Sequence, residues 1–354
     1  MKRLRKLAVG LGLAALVIWL ALRPQSGVDD RLVEREFLAM GTILSVSLYL
    51  DKGQDRPAAE QVLRDLQATL DAYAQRWSAW GNGTLGKLNQ QLAGGAVIEI
   101  PPDLQPLFAV AARYSTLSGG RFDIRVGKLT ELWGFNDETR FRSAPPEPAQ
   151  TTEITHALAA APALSVDAVR YGPAAGIWLD FGAIAKGDAT DLAIAELRRK
   201  GYPNAIVNAG GNLRAAGQRG KRPWRVGVRH PRPDADNRVL SSMDIRDDEA
   251  VITSGDYERY FDFQGQRYHH LLDPHSGMPA SGLRAVTVIA SSGALADAAS
   301  TALFVAGPQA WRQVASDLGI SQAFVVLDDG RIQISAALAP RMQFADGAQV
   351  EILP

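Results

Sequence analysis

Apolar and polar residues alternate between Glu36 and Leu50, where Leu44, Val46, Leu48 and Leu50 are opposed by Ser45, Ser47 and Tyr49. A period of two predicts a half-buried strand. After Pro57 the period lengthens: Val62, Leu66, Leu70, Tyr73 and Trp77 share one face of a long amphipathic helix. Asp103 stands where it would cap a second helix running through Tyr114, and residues 136–152, polar and proline-rich, predict an exposed loop. Further on, a helix over 185–200 ends at Gly201 and leads to a strand at Ala205–Asn208. Two more helices, about 293–305 and 309–318, precede Gly319, a strand at Ala323–Leu327 and a hairpin turn at Asp328-Asp329-Gly330. The runs 197–211 and 315–330 echo each other as helix, glycine, strand and turn. Internal duplication and chance similarity explain that echo about equally well. The expected fold class is α+β, one compact body over residues 36–354 with an internal duplication as one reading.

The first 22 residues follow another rule. Lys2, Arg3, Arg5 and Lys6 precede an unbroken apolar run from Leu7 to Leu22 with no polar face to show to water. The run predicts a signal peptide or membrane anchor at 1–22, with the positive end kept in the cytoplasm and the body exported. Residues 23–35 read as a polar linker. The whole chain has 38 basic and 38 acidic residues, so the exported body would carry about four net negative charges. That balance gives no reason to expect nucleic-acid binding. The absence of cysteine excludes disulfides, thiolate metal sites and a cysteine nucleophile.

Four glycine-punctuated clusters carry the candidate chemistry. None is a phosphate loop, a zinc-protease helix, a nucleophile elbow or a Rossmann fingerprint. In the first, an apolar strand at Ile177, Trp178 and Leu179 delivers Asp180, and small residues lead to a helix near Lys186. Backbone N–H groups and a lysine at such a junction suit phosphate oxygens, although a tight turn with a surface lysine would read the same. In the second, Asp297 and Thr301 sit four apart on one helical face, offering hard oxygens to Mg²⁺. Asp297 as a helix cap and Thr301 bonded to a carbonyl is the alternative. The third holds four of the five histidines between His230 and His275; adjacent His269 and His270 point to opposite faces of a strand, so only one can point inward, which argues against zinc and leaves a general base or a satisfied structural histidine. The fourth, Gly120 to Phe135, mixes Asp123 and Arg125 with Phe122, Trp133 and Phe135, as a pocket for a flat ring or a packed core would.

In order along the chain, these segments resemble the ApbE family of FAD:protein FMN transferases. The matches are AMGT at 39–42, FDIRVGKLTELWGF at 122–135, LDFGAIAKGDATD at 179–191 and VNAGGNLRAAG at 207–217. They continue with WRVGVRHP at 224–231, TSGDYERYF at 253–261, YHHLLDPHSGMP at 268–279 and LADAASTALFVAG at 295–307. The resemblance implies an FAD site lined by Met40, Trp80, Arg121, Phe122, Asp123, Asp180, Lys186 and His270. It implies Mg²⁺ held by Asp297, Thr301 and the Ala183 carbonyl with Ser300 nearby, and His270 with Asp297 as catalytic residues. The implied reaction moves FMN from FAD to a Ser or Thr hydroxyl of an acceptor protein and releases AMP. Acceptors in the family resemble membrane electron-transfer subunits with a Ser/Thr-Gly-Ala-Ser/Thr-type motif, and members typically work in the periplasm, here tethered to the inner membrane by the N-terminal helix. The rival expectations are an FAD pyrophosphatase yielding FMN and AMP, a non-catalytic FAD-binding protein, and a docking factor. Departures from the family pattern are Gly83-Thr84 before LGKLN where a serine-glutamate pair is common, Trp80 in place of a tyrosine, and Ala183 in place of a glycine. The first of these falls in a lid-like segment at 78–89.

Overall fold

The structure is a computed structural model that describes residues 30–137, 142–232 and 238–354. The anchor expected at 1–22 and the first part of the linker lie outside these residues. In chain order the elements are β1 (Leu32–Ala39), β2 (Thr42–Tyr49), α1 (Arg56–Trp77), α2 (Thr84–Ala93), β3 (Ile98–Glu99), α3 (Gln105–Leu117), α4 (Gly127–Leu132), α5 (Pro148–Ala160) and β4 (Arg170–Tyr171). They continue with α6 (Ala185–Arg199), β5 (Ala205–Ala209), β6 (Asn212–Ala216), β7 (Trp224–Arg229), β8 (Val239–Ile245), β9 (Ala250–Gly255), β10 (Tyr260–Phe263) and β11 (Gln266–His269). Last come β12 (Leu283–Ala290), α7 (Gly293–Asp317), β13 (Gln322–Leu327), β14 (Ile332–Ser335), β15 (Gln343–Phe344) and β16 (Val350–Leu353). Among the described residues no helix is long and apolar enough to cross a membrane.

Nine strands form one sheet in the order β1-β2-β5-β6-β9-β12-β13-β14-β16, with only the β14–β16 pair parallel. Alternate residues serve opposite faces, as a pleated strand requires. Val46, Val207 and Ala216 pack against α1 and α6, and Val286 and Val325 share a core with α7. On the other face Tyr49, Ile206, Val251 and Phe324 meet the small sheet β15-β8-β7. Strand, strand, helix, strand, strand occurs twice along the sheet in the same spatial order: β1-β2-α6-β5-β6, then β9-β12-α7-β13-β14. The segment from α1 to β4 is an insertion between β2 and α6 of the first unit.

Several expectations are corrected. The alternation over 36–50 belongs to a hairpin rather than one strand, and β1 starts at Leu32, inside the expected linker. Buried positions are odd in β1 (Val33, Phe37, Ala39) and even in β2 (Leu44, Val46, Leu48), and the phase changes at the two-residue turn Met40-Gly41. Asp103 caps nothing: Leu104 occupies the cap position of α3, and Asp103 pairs with Arg76 at 2.6 Å. The loop expected to reach 152 stops before Pro148, which opens α5 at a position that needs no N–H donor. Its residues 138–141 lie outside the described ones. Half of the lid-like segment is helix α2. Ile177–Leu179 forms an isolated bridge, Trp178 to Val126, rather than a strand. The two helices expected at 293–318 are both present, joined at Gly307, whose φ of 72° interrupts α7.

Candidate functional site

Two tight turns and two helix N-termini gather at one end of the large sheet. Met40-Gly41 joins β1 to β2 with φ of 54° and 70°, and Gly210-Gly211 joins β5 to β6 with 62° and 97°. Two-residue hairpin turns of this kind need positive φ at both central positions. Met40 meets that need without being glycine, an unfavoured conformation of the sort that gathers at working sites. The turns touch: a Cβ on Gly210 would stand 2.3 Å from Thr42 Oγ1. Beside them begin α6 and α7, which bring Lys186 and Asp297.

Asp180 is placed by Asn89, a fully buried side chain of α2. Asn89 Nδ2 donates to the Leu179 carbonyl and its Oδ1 accepts the Leu179 N–H, both at 2.8 Å. Asp180 Oδ1 then accepts the Gly182 N–H at 2.9 Å, closing a turn that presents Ala183 to the cleft. Trp80 lies on Trp178 with ring centroids 5.7 Å apart and planes 13° from parallel, and Lys128 covers the Trp178 ring at 4.7 Å. Arg121 Nη1 donates to the Ser118 carbonyl, Phe122 is buried, and Asp123 is gripped by Arg125 at 2.6 Å.

Asp297 sits in the second turn of α7, buried, with Oδ2 accepting the Gly187 N–H at 2.9 Å. Burial raises its pKa, against the lowering effects of Lys186, the Gly187 N–H and Asn212. Asn212 is itself buried, and its Nδ2 ends with no hydrogen-bond partner of good geometry. Thr301 and Asp297 both line the cleft, one turn apart. Ser300 is turned away: its hydroxyl is fully buried, 2.7 Å from Ser254 Oγ, and donates to the Asp297 carbonyl.

The adjacent histidines part as their alternation predicts. His269 Nε2 reaches the Ala280 carbonyl at 2.9 Å and the ring meets Phe304 edge-on, a packed core position. His270 lines the cleft, with Nδ1 3.3 Å from the Arg259 carbonyl. A carbonyl accepts only, so that contact fixes the proton on Nδ1 and leaves Nε2 as an open acceptor. Burial, then Arg259, His269 and Lys186, hold His270 well below its ordinary pKa. It is neutral when folded, whereas the unfolded chain takes up its proton near 6.5. Its contribution to stability is therefore complete above that pH and is lost as pH falls below it. At pH 5.5, His270→Gln should lose about 1 kcal/mol less stability relative to pH 7.5 than the parent, measured by urea unfolding. An equal loss in both would show that His270 charges freely in the folded protein.

These groups open onto a single cleft of about 3600 Å³, lined by Met40, Trp80, Arg121, Phe122, Asp123, Asp180, Ala183, Lys186, His270, Asp297 and Thr301. Small-molecule sites run to about 300–1,000 Å³, so there is room for more than one ligand. Among the described residues no three His, Asp or Glu side chains converge on a point, so this is no self-contained metal cage.

Residues 40–325 match the ApbE family. The chain belongs to the ApbE family. The "FAD:protein FMN transferase" of Rhodobacter capsulatus is 35% identical over 89% of this chain, which spans 59% of that longer protein's length. The protein of the same description from Treponema pallidum is 31% identical over 88% of this chain and 89% of its own. The crystal structure of the ApbE protein from Thermotoga maritima superposes with a TM-score of 0.74 at 33% identity, covering 86% of this chain and 97% of that one. The mixed helix and strand architecture is thus that of ApbE structures. No role was legible in the sequence for Asn89, Asp191 or Asn212; Asp191 and Asn212 lie in segments that match the family, and Asn89 ends the LGKLN stretch beside a departure from it. Their signal was position in those segments; their geometry was invisible without the fold.

Proposed function

We propose that this chain transfers FMN from FAD to a Ser or Thr hydroxyl of an acceptor protein, with Mg²⁺ as cofactor and AMP as the leaving product. The observation that carries the reading is the meeting of Asp297, Thr301, Ala183, Lys186 and His270 on one cleft too large for a single small ligand. The donors fit the ion: one carboxylate, one hydroxyl and one carbonyl are hard oxygens, few enough to leave positions for phosphate and water, as Mg²⁺ prefers. The unpartnered Asn212 amide beside Asp297 offers a donor to an anionic ligand in the same place. Asp297, Thr301 and the Ala183 carbonyl would hold the ion, and Ser300 would brace α7 against β9 through Ser254. Bound there, Mg²⁺ would offset charge on the FAD pyrophosphate and on the departing AMP.

The chain's own groups do the rest. Lys186 Nζ, hydrogen-bonded to the Gly182 carbonyl at 3.3 Å, adds positive charge against the phosphates. Trp80 on Trp178, and Met40 at its turn, give flat apolar surface to the flavin nucleotide. His270 Nε2 takes the proton of the acceptor hydroxyl as its oxygen bonds to the FMN phosphorus and the bond to AMP breaks. Positioning and charge stabilisation carry most of the acceleration. The apolar start of the chain supports a periplasmic body tethered to the inner membrane, near a membrane-bound redox subunit with a Ser/Thr-Gly-Ala-Ser/Thr-type motif as acceptor. The test is mass spectrometry of such an acceptor domain after incubation with this protein, FAD and Mg²⁺, with an EDTA control. One FMN added per acceptor, with AMP released and both lost in EDTA, is the expected result. AMP without an adduct would mean a pyrophosphatase, and no AMP would mean a binding protein.

A further inference from the structure

The structure assigns Asp191 a positioning role: it holds Asp297 in place through a reciprocal clamp between α6 and α7. The two helices cross at glycine. A Cβ on Gly187 would stand 2.1 Å from the Gly293 carbonyl oxygen, and one on Gly293 would stand 2.3 Å from that of Gly187. Four residues after each glycine comes an aspartate, and each aspartate accepts the other glycine's N–H. Gly187 N donates to Asp297 Oδ2 at 2.9 Å, and Gly293 N donates to Asp191 Oδ1 at 2.7 Å. Since α6 and α7 hold equivalent places in the two repeated units of the sheet, Asp191 is the counterpart of Asp297.

The two carboxylates differ in their other partners. Asp191 also accepts from Ser292 Oγ at 2.8 Å and from Ala294 N at 3.1 Å, and Arg214 Nη1 lies 2.9 Å from its Oδ1. Arg214 is anchored in turn on the Ser291 carbonyl at 2.6 Å and on Asp248 at 2.8 Å. Asp191 is thereby saturated. It satisfies the first N–H groups of α7 from a neighbouring helix and adds negative charge where the helix dipole favours it. Asp297 takes the Gly187 N–H, has the Asn212 amide and Lys186 nearby, and lines the cleft. One member of the pair is fixed structure, and the other is open to a ligand. Rotation or slippage of α7 would displace Asp297 in the cleft, and the Asp191–Arg214 contacts add to the sheet packing that opposes it.

This inference rests on the proposed cation role of Asp297, so the experiment separates the two. Mn²⁺ is titrated into the FAD-saturated full chain without acceptor and read by loss of the free-ion EPR signal, and FAD affinity is measured separately in EDTA. Asp191→Asn should weaken Mn²⁺ binding by about 10- to 100-fold, the usual cost of losing a residue that orients a metal ligand, with FAD affinity in EDTA unchanged. Arg214→Gln should shift it in the same direction and decides the matter if Asp191→Asn does not fold. Asp297→Ala is the control. Parent-like Mn²⁺ binding in Arg214→Gln or in folded Asp191→Asn, with binding lost in Asp297→Ala, overturns the positioning role alone. Parent-like binding in Asp297→Ala overturns the cation reading and this inference with it.

Discussion

Asp297→Ala is expected to lower FMN transfer by about 10²–10³-fold or more while leaving the fold intact. The loss follows from the donor set. Asp297 is the carboxylate among the three proposed Mg²⁺ donors, and Thr301 and the Ala183 carbonyl bring no net charge to hold a dication. The survival of the fold follows from the sign of the pKa shift. Burial raises the Asp297 pKa above its value of 3.8 in the unfolded chain, so the fold favours the protonated form. Any stabilisation from this shift is fully present below 3.8 and is lost as pH rises through the folded pKa. At neutral pH without a cation, the ionised side chain is therefore no source of stability. Alanine removes that buried charge and costs mainly the acceptor for the Gly187 N–H, about 1–3 kcal/mol. Adding Mg²⁺ to the FAD-saturated protein should raise the melting temperature of the parent by mass action and leave that of the FAD-saturated variant unchanged. Parent-like transfer by Asp297→Ala at ordinary Mg²⁺ concentration would sink the metal assignment.

Gly187→Ala should cost about 3 kcal/mol or more, the upper end for overpacking a close contact, and remove cation binding with it. The new methyl would meet a backbone oxygen at 2.1 Å and the Asp297 Cβ at 2.8 Å. Neither neighbour has a free rotamer by which to move aside. Relief requires shifting α7 relative to α6, and both are packed on the same sheet through fully buried side chains such as Ala193, Leu197 and Leu303. Urea unfolding gives the stability change, and Mn²⁺ titration of the folded fraction gives the site. If the variant keeps the parent's midpoint and its affinity, the helices are not held at this crossing.

The sequence carried more of the site than of the chain's path. Glycine-bounded segments around Asp180, Lys186, His270 and Asp297 stood out from their local chemistry, because a tight turn into a helix or an i, i+4 pair is a short-range feature. Their order along the chain was enough to name the family. Errors arose where local signals compete. Asp103 had the right side chain for a cap, but a charged partner from another helix, Arg76, claimed it. The hairpin at Met40 was hidden because the alternation resumes at once, and only its change of phase marks the turn. Pro148 read as a loop signal, although proline at a first helical position is compatible with a helix.

By itself the sequence determined the periodicities, the helices of the second half with strands β5 and β13, the charge-neutral composition without cysteine, and the family. These depend on side chains within a few residues of one another or on the order of segments. Tertiary structure decided which strands are neighbours, and so that two similar units lie side by side in one sheet. It decided that Ser300 faces Ser254 instead of the cleft, and that Asn212 is left with an unused donor. It also decided that Gly187 and Gly293, more than a hundred residues apart, touch and exchange N–H groups with each other's aspartate. Such contacts depend on how two helices cross. A crossing is set by the packing of the whole sheet beneath them, which no local stretch of sequence encodes.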